Sequence, residues 1–146
     1  MRRITKIYIH HSALPRDKGI DEIRELHIGR GFDDIGYHFV IDQSGKVWTG
    51  RPIDKEGANV KGDNKESIGI CVCGNCDEKS PLKSQIEALE KLVLELCKKW
   101  GKLEILGHRD YSNSDTQCPG NYLYSILPEL RNKANTLYYA TKVRKL

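Results

Sequence analysis

Between Ser80 and Trp100 the apolar side chains Ile86, Leu89, Val93, Leu96 and Trp100 recur at intervals of three and four residues. That period gathers them on one face of a helix. A lone apolar stripe is marginal in water and demands an apolar layer to cover it. The chain offers that layer as short runs of strand length: Ile4–Ile9, Tyr37–Ile41, Lys46–Thr49, Ile68–Val72 and Leu103–Leu106. Asp42-Gln43-Ser44-Gly45 joins two of them as a hairpin turn. A second helix is expected from about Asp21 to Arg30, with Ile23, Leu26 and His27 on one face and Gly31 as its stop. A third is expected over Tyr122–Asn132, broken or kinked at Pro128. Ser84 with Glu87 predicts a capping box for the long helix. Strands interspersed with helices predict an α/β fold, one domain with a central mixed sheet flanked by helices on both faces.

A chain of 146 residues fits one domain. The net charge of +4 raises the question of a nucleic-acid partner, and its location answers it. Residues 131–146 hold Arg131, Lys133, Lys142, Arg144 and Lys145 and no acid, so the remainder is slightly acidic. The expected organisation is a domain over residues 1–134 and a basic tail over 135–146. Without a basic face and a readable motif, no nucleic-acid function is expected. No apolar run approaches the ~20 residues of a membrane helix, and none of signal-peptide type follows Met1-Arg2-Arg3. Synthesis in the cytoplasm without an export signal is therefore expected, with a monomeric product. Five cysteines, an odd number, argue against a disulfide framework and for core thiols, metal ligands or both.

Three places concentrate side chains able to do chemistry. His10-His11-Ser12 ends the first strand, Tyr37-His38 begins the second, and His108-Arg109-Asp110 follows the last, with Cys118-Pro119-Gly120 ten residues on. Two imidazoles and a thiolate suit zinc and leave a fourth position for water, the arrangement of a hydrolytic site. Neighbouring strand side chains point to opposite faces, so one of His10 and His11 serves, and parity alone does not choose. Taken singly, a His pair is ordinary surface and Cys118 an inert thiol; their joint occurrence at strand ends raises the site above that. Cys71, Cys73 and Cys76 form a C-x-C-x-x-C run without an obvious fourth ligand, and Cys97 is expected in the core. His38 is read as structural. Arg51–Glu66, with Pro52, Gly57, Gly62 and Asn64, is read as a long loop whose Arg51, Asn59 and Lys61 line a peptide groove.

The segments Ile9-His10-His11-Ser12-Ala13, Gly36-Tyr37-His38-Phe39, Ser67-Ile68-Gly69-Ile70, Gly107-His108-Arg109-Asp110 and Thr116-Gln117-Cys118-Pro119-Gly120 resemble, in order, the type 2 N-acetylmuramoyl-L-alanine amidases. That family includes the amidase-type lysozymes of T-odd phages and the animal peptidoglycan recognition proteins. The resemblance spans about Lys6 to Leu130. It implies one zinc ion held by His10, His108 and Cys118, choosing His10 over His11. It implies catalytic roles for Tyr37 and for Thr116, which stands where the phage lysozymes carry lysine. Threonine brings no charge there and can only orient or hydrogen-bond a developing oxyanion. The implied activity is zinc-dependent cleavage of the amide between N-acetylmuramic acid and L-alanine in peptidoglycan, acting on the wall after release by lysis or a non-classical route. The alternative is a non-catalytic module that binds peptidoglycan or muropeptides; such members lack the cysteine ligand.

Overall fold

The computed structural model describes residues 2–144, with side chains through residue 140. Its elements are β1 (Lys6–His11), α1 (Ile20–Gly29), β2 (Phe39–Ile41), β3 (Val47–Thr49), β4 (Ser67–Val72), α2 (Lys83–Trp100), β5 (Glu104–Gly107), a 3₁₀ turn (His108–Asp110), α3 (Asn121–Tyr124) and α4 (Leu127–Arg144). The five strands form one sheet in the order β3-β2-β4-β1-β5. β1 lies parallel to both β4 and β5, β2 is parallel to β4, and β3 returns antiparallel against β2. The expected mixed sheet with helices on both faces is thus found.

Strand alternation divides the chain between two layers. Ile7 and Ile9 of β1, Ile68, Ile70 and Val72 of β4, and Ile41 of β2 face α2 and α4, meeting Leu89, Val93, Leu96, Leu127 and Leu130 in the main core. Val40, Cys71 and Cys73 face the other way, onto Ile20 and Ile23 of α1, with Tyr37 packed against them. Tyr8 and His10 share that second face by parity. Burial of one such aliphatic side chain contributes about 1.5–3 kcal/mol, so the main core anchors the sheet while its other face carries Tyr8 and His10.

Three helix expectations change. The long helix is capped by Gln85, whose Oε1 accepts the Leu82 N–H at 3.0 Å while its Nε2 donates to the Cys73 carbonyl at 2.9 Å. Ser84 instead donates its hydroxyl to the Gln43 carbonyl. Pro128 does not break its helix: it occupies the first turn of α4, where a missing N–H leaves no bond unmade. α4 then continues past the helix end expected at Asn132, and no glycine or proline interrupts 133–144. Of the basic residues counted there, Arg131 pairs with Asp110 at 3.5 Å and Lys133 with Glu90 at 2.9 Å. The side chains of Lys142, Arg144 and Lys145 lie outside the described residues. Among the described residues no helix is long and apolar enough to cross a membrane.

The segment between β3 and β4 is pinned rather than loose. Arg2 donates to the carbonyls of Ile53 (2.9 Å), Lys65 (3.2 Å) and Ser67 (2.9 Å). Tyr8 and Lys6 reach Asp63 Oδ2 from the sheet at 2.5 and 2.8 Å. His38 holds both ends, accepting the Gly69 N–H on Nδ1 at 3.0 Å and donating from Nε2 to the Lys55 carbonyl at 2.8 Å. The structural reading of His38 agrees with these bonds.

His38 belongs to a set. His11 Nδ1 accepts the Cys76 N–H at 3.0 Å, and His27 Nδ1 accepts the Gly36 N–H at 2.8 Å. An imidazole that accepts must be neutral. Burial lowers the pKa of all three, that of His38 to about 4. The unfolded chain, with histidines near 6.5, therefore binds protons that the fold refuses. Stability is fully present above about pH 6.5 and is lost as the pH falls towards the folded values, each histidine adding up to about 1.4 kcal/mol per pH unit. Urea unfolding of metal-free protein is expected to show the midpoint dropping steadily from pH 7 to about pH 5, above the range where carboxylates titrate. A flat midpoint over that interval would contradict this account.

Candidate metal centre

Parallel pairing sets the first two groups side by side. β1 and β5 run together with Ile9 opposite Gly107, so the next residues along, His10 and His108, emerge as neighbours at the same edge of the sheet. Their ring centroids lie 4.8 Å apart. Cys118 is delivered by the loop after the 3₁₀ turn, which folds back so that the Arg109 N–H donates to the Cys118 carbonyl at 2.8 Å. The Cys118–Pro119 bond is cis. Arg109 itself holds this loop, donating to Asn121 Oδ1 at 2.9 Å and to the Gln117 carbonyl, with its guanidinium over the Tyr124 ring. Asp110 accepts from the Gly107 N–H and the Tyr124 hydroxyl.

One ligand atom from each of His10, His108 and Cys118 falls within 4.8 Å of the others. His10 Nδ1 stands 3.5 Å from Cys118 Sγ. Tetrahedral zinc with Zn–N of ~2.0–2.1 Å and Zn–S of ~2.3 Å sets nitrogen and sulfur about 3.6 Å apart, so the donor set and spacing fit that ion. Burial pushes the Cys118 thiol up to about 12, so a thiolate there needs a cation beside it. Burial likewise lowers His10 to about 3 and lowers His108, keeping both rings neutral, as ligands must be. His11 points to the opposite face, and its Nδ1 is already used by Cys76. Among the described residues, Cys71, Cys73 and Cys76 form no second cluster of this kind.

The cluster opens into a cleft of about 880 Å³ lined by His27, Arg30, Tyr37, Asn59, Lys61, Tyr111, His108 and Thr116, among others. Tyr37 packs its ring 4.8 Å from that of His10. Burial raises its pKa well above the ordinary value. It is a proton donor at neutral pH. Thr116 Oγ1 accepts the Cys118 N–H at 3.1 Å, which leaves the hydroxyl proton free to donate.

Three residues expected to line a peptide groove are placed differently from one another. Lys61 is exposed at the cleft wall. Asn59 also lines the cleft but is nearly buried, with Oδ1 3.0 Å from His10 Nε2. Arg51 is not among the lining residues. Its guanidinium is used up by the carbonyls of Ile35, Asp34 and Glu56 and by the Asp33 carboxylate, so it braces the segment that carries Tyr37. His27 was read from sequence as part of a helix face, yet its ring lies 5.1 Å from that of Tyr37 in the cleft wall. Arg30 and Tyr111 were not singled out either. Only the fold shows that the end of α1 and the 3₁₀ turn border the same opening.

Comparison with known proteins agrees with this geometry. The sequence model of a family described as N-acetylmuramoyl-L-alanine amidase matches residues 1–121. The endolysin of Klebsiella phage KP32 is 36% identical over 122 residues, 79% of this chain and 80% of that one. The amidase LysC from Clostridium intestinale superposes with a TM-score of 0.84 at 30% identity, covering 92% of this chain and 87% of that one. A Drosophila PGRP-LB mutant in complex with tracheal cytotoxin superposes with a TM-score of 0.79 at 28% identity, covering 87% and 81%. By its sequence over most of its length, and by its fold, this chain belongs to the N-acetylmuramoyl-L-alanine amidase family.

Proposed function

We propose that the chain hydrolyses the amide between N-acetylmuramic acid and L-alanine of peptidoglycan, with one zinc ion held by His10, His108 and Cys118. The observation that supports this most is the convergence of those three ligand atoms beside an open cleft that His108 lines. Bound there, zinc would supply Lewis acidity towards a carbonyl and activation of a water molecule. The chain's own groups do the rest. Tyr37, kept protonated by burial, donates to the oxygen that gains charge as the amide carbon becomes tetrahedral. Thr116, oriented through the Cys118 N–H, offers a second donor at the same wall. Lys61 and Arg30 place positive charge at the cleft, where carboxylates of a stem peptide would be drawn. Arg51 serves by position rather than by contact.

The substrate class is supported by the endolysin and amidase relatives and by the tracheal cytotoxin, a muropeptide, bound to the PGRP-LB mutant. One chain supplies every group of the site, so it acts as a monomer on this reading. Like the phage endolysins it resembles, it reaches the wall after release from the cell. The alternative of a purely binding module has no observation of its own in the site, since the cysteine such members lack is present as Cys118.

Metal analysis is expected to find one zinc per chain, lost in His10→Ala and in Cys118→Ala but kept in His11→Ala. Zinc retained by His10→Ala would overturn the ligand assignment. Mass spectrometry of a muropeptide digest is expected to show release of the stem peptide, abolished by chelation and restored by zinc. Tyr37→Phe removes one oxyanion donor and is expected to lower kcat by about 10²–10³-fold with zinc content unchanged. An unchanged kcat would remove Tyr37 from the mechanism.

A further inference from the structure

Asn59 is 9% exposed and lies beside His10, in the loop that closes over the active-site face of the sheet. Its side chain is encased by two glycines. A Cβ at Gly57 would come within 2.5 Å of Asn59 Nδ2, and one at Gly69 within 2.6 Å of its Cγ. Its backbone is held as firmly: Asn64 Oδ1 accepts the N–H groups of both Asn59 and Val60 at 3.0 Å. The amide therefore has little freedom to turn, and its surroundings fix which end is which.

On one side stands the Gly36 carbonyl, 3.4 Å from Nδ2. A carbonyl only accepts, so the NH₂ group belongs there. Oδ1 is then turned to His10 Nε2 at 3.0 Å. An amide oxygen also only accepts, so Nε2 must carry the ring proton. A neutral imidazole has one proton, which leaves the lone pair on Nδ1, the nitrogen 3.5 Å from Cys118 Sγ. We propose that Asn59 is a positioning residue that sets the tautomer of His10, passing the polarity of the Gly36 carbonyl through its amide so that the lone pair faces the metal cluster. The proposal rests on the reading of His10 as a metal ligand.

The residue type follows from the same geometry. An aspartate would oppose a carboxylate oxygen to the Gly36 carbonyl, acceptor against acceptor. It would also cancel the positive charge that zinc with one thiolate retains. A neutral amide avoids both, donating on one side and accepting on the other.

Long-range proton–nitrogen NMR on metal-free protein reads which imidazole nitrogen is protonated. The expected result is His10 protonated at Nε2 in the unmodified chain and a mixture of tautomers in Asn59→Ala. Zinc affinity, measured by competition with a chelator, is expected to fall about 10–100-fold in Asn59→Ala. His10 protonated at Nδ1 in the unmodified chain would overturn the proposal, as would an Asn59→Ala affinity within about two-fold of it. The tautomer of the unmodified chain decides the question even if Asn59→Ala does not fold. Failure of the unmodified chain to bind zinc would instead remove the proposed function, leaving the tautomer result to judge Asn59 separately.

Discussion

Parallel pairing of β1 between β4 and β5 is the constraint on which the site depends. It makes His10 the neighbour of Cys71 on one side and leaves it one step beyond the Ile9–Gly107 pair on the other, where His108 begins. The apolar pattern enforces this register. Ile7 and Ile9 must face α2 and α4, so Tyr8 and His10 must face the other way, onto Asp63 and Asn59. A slip of one residue would bury His10 among aliphatic side chains and turn Ile9 to the opposite face. The same core that stabilises the sheet thus decides which of two adjacent histidines meets the metal cluster.

Much of this is legible in the sequence because it depends on local patterns. Alternation marked the strands, the three-four spacing marked α2, and strand ends beside loops marked His10, His108 and Cys118. The choice of His10 over His11 needed the family resemblance, and strand parity in the folded sheet supplies its physical reason. Groups whose partners are distant in the chain were not legible. Arg51 looks like a groove residue until its guanidinium is seen to close on the carbonyls of residues 34, 35 and 56. Asn59 likewise reads as a groove residue until it meets a histidine 49 positions away. Gln85 rather than Ser84 caps α2 because one amide satisfies Leu82 and the Cys73 carbonyl together. Pro128 misleads because its effect depends on where the helix begins, and that is set by Leu127 entering the core.

The histidines show how one residue type serves two purposes through one device. In His11, His27 and His38 the Nδ1 lone pair accepts a backbone N–H and ties a loop to the fold. In His10 the same nitrogen faces Cys118 Sγ at 3.5 Å, while Asn59 engages Nε2. Each ring is neutral and buried, and what differs is the neighbour that Nδ1 meets.

One contact on the far side of the sheet has a separate consequence. β5 is an edge strand whose outer carbonyls could pair with another chain. Arg131, reaching down from α4, donates its Nε to the Ile105 carbonyl at 2.7 Å and pairs with Asp110. The guanidinium occupies the position an incoming strand would need. A strand approaching along this border would first have to displace that side chain from the Ile105 carbonyl.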